Sequence, residues 1–266
     1  MKFETISDSD LAVIGEFQPE GWSDILPNIQ FYIQSSFCHP VKIVIDGQIA
    51  GIGAAIVFHH TGWMAHIIVK PEYRNRGFGS MMVKELLRIL ERENVETCSL
   101  IATELGKPVY LKAGFRQIAE YTFLERESPW TIVSASSNVV PFEEKYSAAI
   151  FELDKFISGE ERSALLAPQV VNSFLYVKNG DLLGFYLPEM KEGLIYAKTD
   201  EAGIELMSLK YAWVDKAVLP SENRAGITFL KQKGFAEVRK ASRMTIGKEF
   251  DWKPQMMFGR IGGNLG

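Results

Sequence analysis

Ile67-Ile68-Val69-Lys70-Pro71-Glu72-Tyr73-Arg74-Asn75-Arg76-Gly77-Phe78-Gly79-Ser80 is the stretch on which the reading of this chain turns. Three β-branched residues lead into a basic loop with two glycines. Met82, Leu86, Leu87 and Leu90 then recur at helical spacing. The pattern predicts a strand, a loop and a helix over about 80–93. Amides that open a helix lack intrahelical acceptors and carry partial positive charge. Gly77 and Gly79 remove side chains there, so an anion can approach the main chain. Arg74 and Arg76 add charge and planar donors suited to phosphate. The stretch reads as a pyrophosphate cradle. Two other phosphate loops do not fit. A dinucleotide fingerprint needs a third glycine at position 82, where Met82 stands, and a P-loop needs Gly-Lys-Ser/Thr, which is absent.

Working outward, residues 2–6 read as an edge strand and 7–17 as a helix opened by Ser7 with Asp8 and Asp10. A second helical pattern covers 22–34, with Pro27 as a kink or break. Residues 41–45 and 48–58 flank Asp46-Gly47, a strong hairpin signal. Strands follow at 63–69, 98–102 and 115–124, and a short helix at 107–112 is ended by Gly114. Residues 47–69 carry no charged side chain over 23 positions, enough to span a membrane. Gln48, His59, His60, Thr61 and Gly62 interrupt the run, and a buried hairpin explains it better.

The second half repeats the first. Asp46-Gly47-Gln48-Ile49-Ala50-Gly51 is matched by Asn179-Gly180-Asp181-Leu182-Leu183-Gly184, and Lys112-Ala113-Gly114-Phe115 by Gln232-Lys233-Gly234-Phe235. The spacing between landmarks is 63 residues in the first copy and 50 in the second. One domain plan is used twice, the second time shortened. The low-charge stretch 127–141 reads as a linker, giving domains at 1–126 and 142–266, with helical patterns at 143–156 and 160–167.

Composition bounds the function. Apolar residues make up 47% of 266 and charged ones 23%, which is globular. A net charge of −4 disfavours nucleic-acid partners. Cys38 and Cys98 cannot make a disulfide framework and suit a reducing, cytoplasmic setting. Without CxxC or HExxH no protein-built metal site is expected, although His59 and His60 could take a metal adventitiously. No signal peptide or membrane anchor is expected from the N-terminal residues.

Val69-x-Pro71-x-x-Arg74-x-x-Gly77-x-Gly79 at a strand-to-helix junction resembles the acyl-CoA-binding motif of the GNAT N-acetyltransferases. Tyr110-x-x-x-Gly114-Phe115 is similar to a second hallmark of that family, and 102–109 (ATELGKPV) to a recurring form of the segment between. The two-copy layout with a glycine-rich end at 259–266 resembles a bacterial tandem subgroup. The resemblance implies an α/β (α+β) fold: two αβα layered domains with mixed, mostly antiparallel sheets. It implies acetyl-CoA as co-substrate and no metal. Its pantetheine arm would lie between splayed strands against Ile67, Ile68 and Val69, the Val69 amide serving as oxyanion donor. Arg74, Asn75, Arg76, Gly77, Phe78, Gly79 and Ser80 would hold the pyrophosphate, with Thr103 and Lys107 also on the cofactor side. A primary amine, on a small molecule or a peptide, would attack directly. Tyr110 would protonate the leaving thiolate. The protein would be a monomer or homodimer.

The general base is open. An amine with a pKa of about 10.4 is neutral in about one part in a thousand at pH 7. Strand period two groups Trp63, Ala65, Ile67 and Val69, none of them a base, and puts His66 on the other face. His66 therefore reads more readily as a core or interface histidine than as a catalyst. Glu104 is the candidate on the Tyr110 side; a water chain or a residue of the second domain would serve equally. The second copy replaces the loop by Lys198-Thr199-Asp200-Glu201-Ala202-Gly203-Ile204 and Tyr110 by Leu230. Acids at a helix start would repel a pyrophosphate, so no coenzyme A is expected there. A non-catalytic CoA-binding module and a transferase for longer acyl groups are the rival readings.

Overall fold

The computed structural model describes residues 1–127 and 136–266; residues 128–135, the middle of the expected linker, lie outside the described residues. The chain divides into two units, Met1–Arg116 with Met244–Lys248, and Gln117–Arg243 with Glu249–Gly266.

Unit 1 runs β1 (Lys2–Thr5), α1 (Leu11–Ile14), α2 (Leu26–Gln34), β2 (Cys38–Ile45), β3 (Gln48–Phe58), β4 (Thr61–Val69), α3 (Phe78–Arg92), β5 (Thr97–Ala102) and α4 (Lys107–Lys112). The helix expected over 7–17 is one α-turn between two 3₁₀ turns. Pro27 does not kink α2 but sits in its first turn, where the missing N–H costs nothing. Within the stretch 47–69 the strands Gln48–Phe58 and Thr61–Val69 are joined by a turn at His59-His60. No helix among the described residues is long and apolar enough to cross a membrane.

The sheet order is β1-β2-β3-β4-β5, antiparallel except for β4 and β5, which are parallel. Met82, Val83, Leu86 and Leu90 of α3 pack on Val41, Ile43, Ala55, Met64 and Leu100. Gly53 permits this approach: a Cβ there would lie 3.0 Å from the side chains of both Leu86 and Met82. Residues 244–248 return to this unit beside β5. Thr245 Oγ1 donates to Cys98 O at 3.0 Å and Thr97 Oγ1 to Lys248 O at 2.7 Å.

Unit 2 contains β6 (Arg116–Glu125), β7 (Val139–Pro141), α5 (Ser147–Ser158), α6 (Ser163–Leu166), β8 (Phe174–Lys178), β9 (Asp181–Leu187), β10 (Leu194–Ala197), α7 (Asp200–Tyr211), β11 (Lys216–Pro220), α8 (Arg224–Gln232), β12 (Ala236–Gly247) and β13 (Met257–Gly259), apart from the residues at 116 and 244–247. One sheet is β13-β10-β9-β8-β7; β6 pairs antiparallel with β11. The succession β8, β9, β10, α7, β11, α8, β12 repeats β2, β3, β4, α3, β5, α4, β6. Even the turns agree. Asp46-Gly47 and Asn179-Gly180 all have positive φ, as do Gly114 and Gly234, the left-handed hairpin geometry that Asp-Gly and Asn-Gly favour. The unit boundaries differ from the 1–126 and 142–266 division read from composition. The strand after each Gly-Phe turn groups by its partners: β6 joins β11, and the end of β12 joins β5.

Candidate functional site

The site is built where β4 and β5 part. Their ladder has three rungs, Thr61↔Thr97, Gly62↔Cys98 and Trp63↔Ser99. Beyond them β4 continues for six residues and β5 for three without pairing to each other. The Lys70 amide donates to Ala50 O on the β3 side at 3.0 Å. Amides alternate in direction along a strand, so the N–H and C=O of Val69 turn away from β3, toward the gap. Val69 O accepts from Arg74 Nε at 3.0 Å.

Pro71–Tyr73 forms a 3₁₀ turn; Asn75 and Gly77 then take φ of +60° and +84°. This alternation of hand bends successive amides toward one side. Gly77 is the N-cap of α3, and among the described residues no side chain caps the helix. Its first turn closes with Met81 N on Gly77 O at 3.0 Å, which leaves the amides of Phe78, Gly79 and Ser80 directed outward. A Cβ on Gly77 or Gly79 would meet nothing within 4 Å. The loop therefore bounds open space with main-chain donors. Arg74 braces the loop against Val69, and the Arg76 guanidinium lies 5.8 Å from the Tyr73 ring centroid.

On the α3 side of the sheet, Tyr110 projects from α4 into the cluster with Val83, Leu86, Leu100 and Phe115. Its ring meets Phe115 edge-on at 5.9 Å. Burial, with a smaller contribution from Cys98, pushes its hydroxyl up to about 12. Thr103 Oγ1 accepts from Gly106 N at 3.1 Å and Thr103 O from Lys107 N at 2.9 Å. Thr103 thus closes the turn that starts α4. Glu104 stands exposed in that turn.

Period two fails in β4. Ala54 pairs with Ala65 and Ile52 with Ile68, so His66 and Ile67 together oppose Gly53. Ile67 thereby joins Met64 on the α3 face, not Trp63 and Ala65 as the alternation predicted.

The corresponding place in unit 2 is occupied by its own chain. Met257–Gly259 pairs antiparallel with β10 at Ile195↔Gly259 and Tyr196↔Met257, and packs against β11 and α7. Asn223 Nδ2 donates to Met257 O at 2.8 Å. The start of α7 is capped by Thr199 Oγ1, which accepts from Ala202 N, and carries Asp200 and Glu201. A Cβ on Gly203 would fall 2.4 Å from the Phe258 ring. The sequence signal for this plug, a glycine-rich tail, has no pattern that distinguishes a slot-filling strand from a loop.

Comparison with known proteins agrees with this geometry. Residues 11–115 match the Acetyltransferase (GNAT) family and residues 150–259 the Acetyltransferase (GNAT) domain. This chain belongs to the GNAT acetyltransferase superfamily, with two GNAT domains in tandem. An acetyltransferase of Stachybotrys chartarum is 38% identical over 53 residues, which are 20% of this chain and 23% of that relative. A protein of Pyrococcus horikoshii assigned to the acetyltransferases has a TM-score of 0.80 at 19% identity, covering 100% of this chain and 95% of its own. A tandem GNAT protein from the clavulanic acid biosynthesis pathway gives 0.62 at 12%, covering 92% and 98%. At these identities the structures show the fold.

Proposed function

We propose that unit 1 transfers an acetyl group from acetyl-CoA to a primary amine, in a complex holding both substrates. The observation that carries this reading is the uncapped, side-chain-free start of α3 beside the divergence of β4 and β5. A diphosphate fits the outward amides of 78–80, with Arg74 and Arg76 supplying charge. The pantetheine arm fits the unpaired edge of β4 as an added strand. The Val69 amide then faces the thioester oxygen, where a lost donor typically costs about 3 kcal/mol of barrier.

Attack by the amine nitrogen forms the C–N bond and expels sulfur with its electron pair. Tyr110 is protonated throughout the neutral range and donates to that sulfur. Full transfer from a phenol at about 12 to a thiolate whose acid lies at about 8.5 is uphill. The hydroxyl's larger contribution is the hydrogen bond that steadies the departing sulfur. Unit 2 binds no coenzyme A, because its slot holds Met257–Gly259 and its helix start is acidic.

Purified protein given acetyl-CoA and a panel of primary amines is expected to release free thiol with at least one of them. Arg74→Ala is expected to raise the donor KM. An unchanged KM would remove the loop assignment, and CoA binding without turnover on any amine would favour a non-catalytic module.

A further inference from the structure

Unit 2 gathers three cations in one place and gives them too few acids. Lys210 and Arg260 are each only 5% exposed, while Arg239 of β12 stands exposed. Lys210, near the end of α7, donates from Nζ to Gly193 O at 2.8 Å. Arg260 follows β13 directly and grips Glu192: its Nε donates to Oε2 at 2.7 Å and its Nη2 to Oε1 at 2.9 Å. A guanidinium is planar, so one carboxylate on the Nε–Nη2 edge leaves Nη1 aimed elsewhere. Arg260 Nη1 is buried and has no hydrogen-bond partner among the described residues, and the same holds for Tyr211 Oη. Burial and the charge of Glu192 push the Tyr211 phenol up, and Arg260 draws it down. The two unpartnered donors therefore lie within electrostatic reach of each other.

Arg239 and Arg260 share one ring. Their guanidinium carbons lie 3.5 Å and 5.0 Å from the Phe123 centroid. Among the described residues Arg239 forms no salt bridge. The acids whose charge it feels are Glu192, already held by Arg260, and Glu125, which is 3.8 Å from Lys216. Residues 128–135 contain no acidic side chain. Lys210 registers the imbalance: burial lowers its pKa from 10.5 to about 8, Glu192 opposes this and Arg260 adds to it. Buried cations are costly unless paired. Burial deepens from Arg239 through Arg260 to the wholly enclosed Tyr211, so the cluster has a solvent-facing end.

We infer that unit 2 binds a small organic carboxylate, whose oxygens accept from Arg260 Nη1 and Tyr211 Oη and whose charge is met by Arg239. The flat pair of carboxylate oxygens suits a guanidinium edge. Tyr121 and Phe123, both under Arg260, give the site an apolar side that suits a carbon skeleton better than inorganic phosphate. Lys210 adds positive potential while still donating to Gly193 O. The site is separate from the α3 loop and goes beyond the acyl-transfer reading.

Calorimetric titration of succinate and of benzoate into the full chain, with inorganic phosphate for comparison, tests this. At least one carboxylate should bind at one site per chain with a Kd of about 1 mM or lower, and more tightly than phosphate. Arg239→Gln is the main variant, because an exposed residue without a salt bridge can be changed with the fold kept. It should weaken carboxylate binding at least about tenfold and leave CoA affinity unchanged. Tyr211→Phe keeps the ring and should weaken it about threefold or more. Gly79→Val should leave carboxylate affinity as it is. The inference is overturned if neither carboxylate binds, if phosphate binds more tightly, or if both Arg239→Gln and Tyr211→Phe stay within about twofold of the unmodified chain. A chain that binds carboxylate in this way but no CoA keeps the inference and loses the donor reading.

Discussion

The two copies of one plan end their third strand in opposite ways. In unit 1, β4 leads into a loop whose helix opens on Gly77 with no side-chain cap; in unit 2, β10 leads to a helix capped by Thr199 and rimmed by Asp200 and Glu201. The edge of β4 beyond Trp63 is left unpaired by β5, whereas β10 is paired by Met257–Gly259. Backbone donors need partners. One copy meets the need from its own sequence and is finished as a structure. The other leaves it open for the ligand proposed above. Under that proposal this is a physical criterion for an active and a degenerate copy, and it does not depend on which residues the two have in common.

The largest expected effect that sharpens the contrast is at Tyr110, whose counterpart in unit 2 is the buried Leu230. Tyr110→Phe should lower kcat about 100-fold or more while thiol-release assays show little change in donor KM. Next come two first-turn glycines. Gly79→Val puts atoms into open space and should weaken CoA binding about tenfold or more in a calorimetric titration, with melting temperature nearly unchanged. Gly203→Ala forces a methyl against Phe258. It should cost about 1–3 kcal/mol of stability in urea unfolding and leave CoA affinity intact. Reversal of these two outcomes would break the comparison.

The smallest effect is alkaline. Tyr110 has a folded pKa of about 12 against 10.0 for an unperturbed tyrosine. Its share of stability is full below pH 10 and is lost as pH rises from about 10 through 12, because the unfolded chain ionises first. Tyr110→Phe should flatten that part of the stability–pH curve, as followed by urea midpoints. An identical slope in the variant would mean that the hydroxyl is not held protonated by its surroundings.

Much of the fold was legible because its signals are local. Asp46-Gly47 and Asn179-Gly180 announce hairpins, and Gly114 and Gly234 announce the turns before Phe115 and Phe235. The amphipathic run from Met82 to Leu90 announces the helix that carries the loop. The features that proved hard to read are set by partners distant in sequence. Nothing around His66 marks a bulge; it arises where β4 must keep register with β3 at both Ala65 and Ile68, and the period-two grouping of Ile67 with Trp63 and Ala65 fails there. The placement of β6 and of residues 244–248 depends on strands about a hundred residues or more away. The short helix over 107–112 and its end at Gly114, by contrast, are local signals, and Tyr110 stands on that helix against Phe115.

Isothermal titration of CoA into the intact chain tests the central claim most directly. One site per chain is expected, abolished or weakened at least tenfold by Gly79→Val and unaffected by Gly203→Ala. Two sites per chain, or one site indifferent to Gly79→Val, would contradict the account.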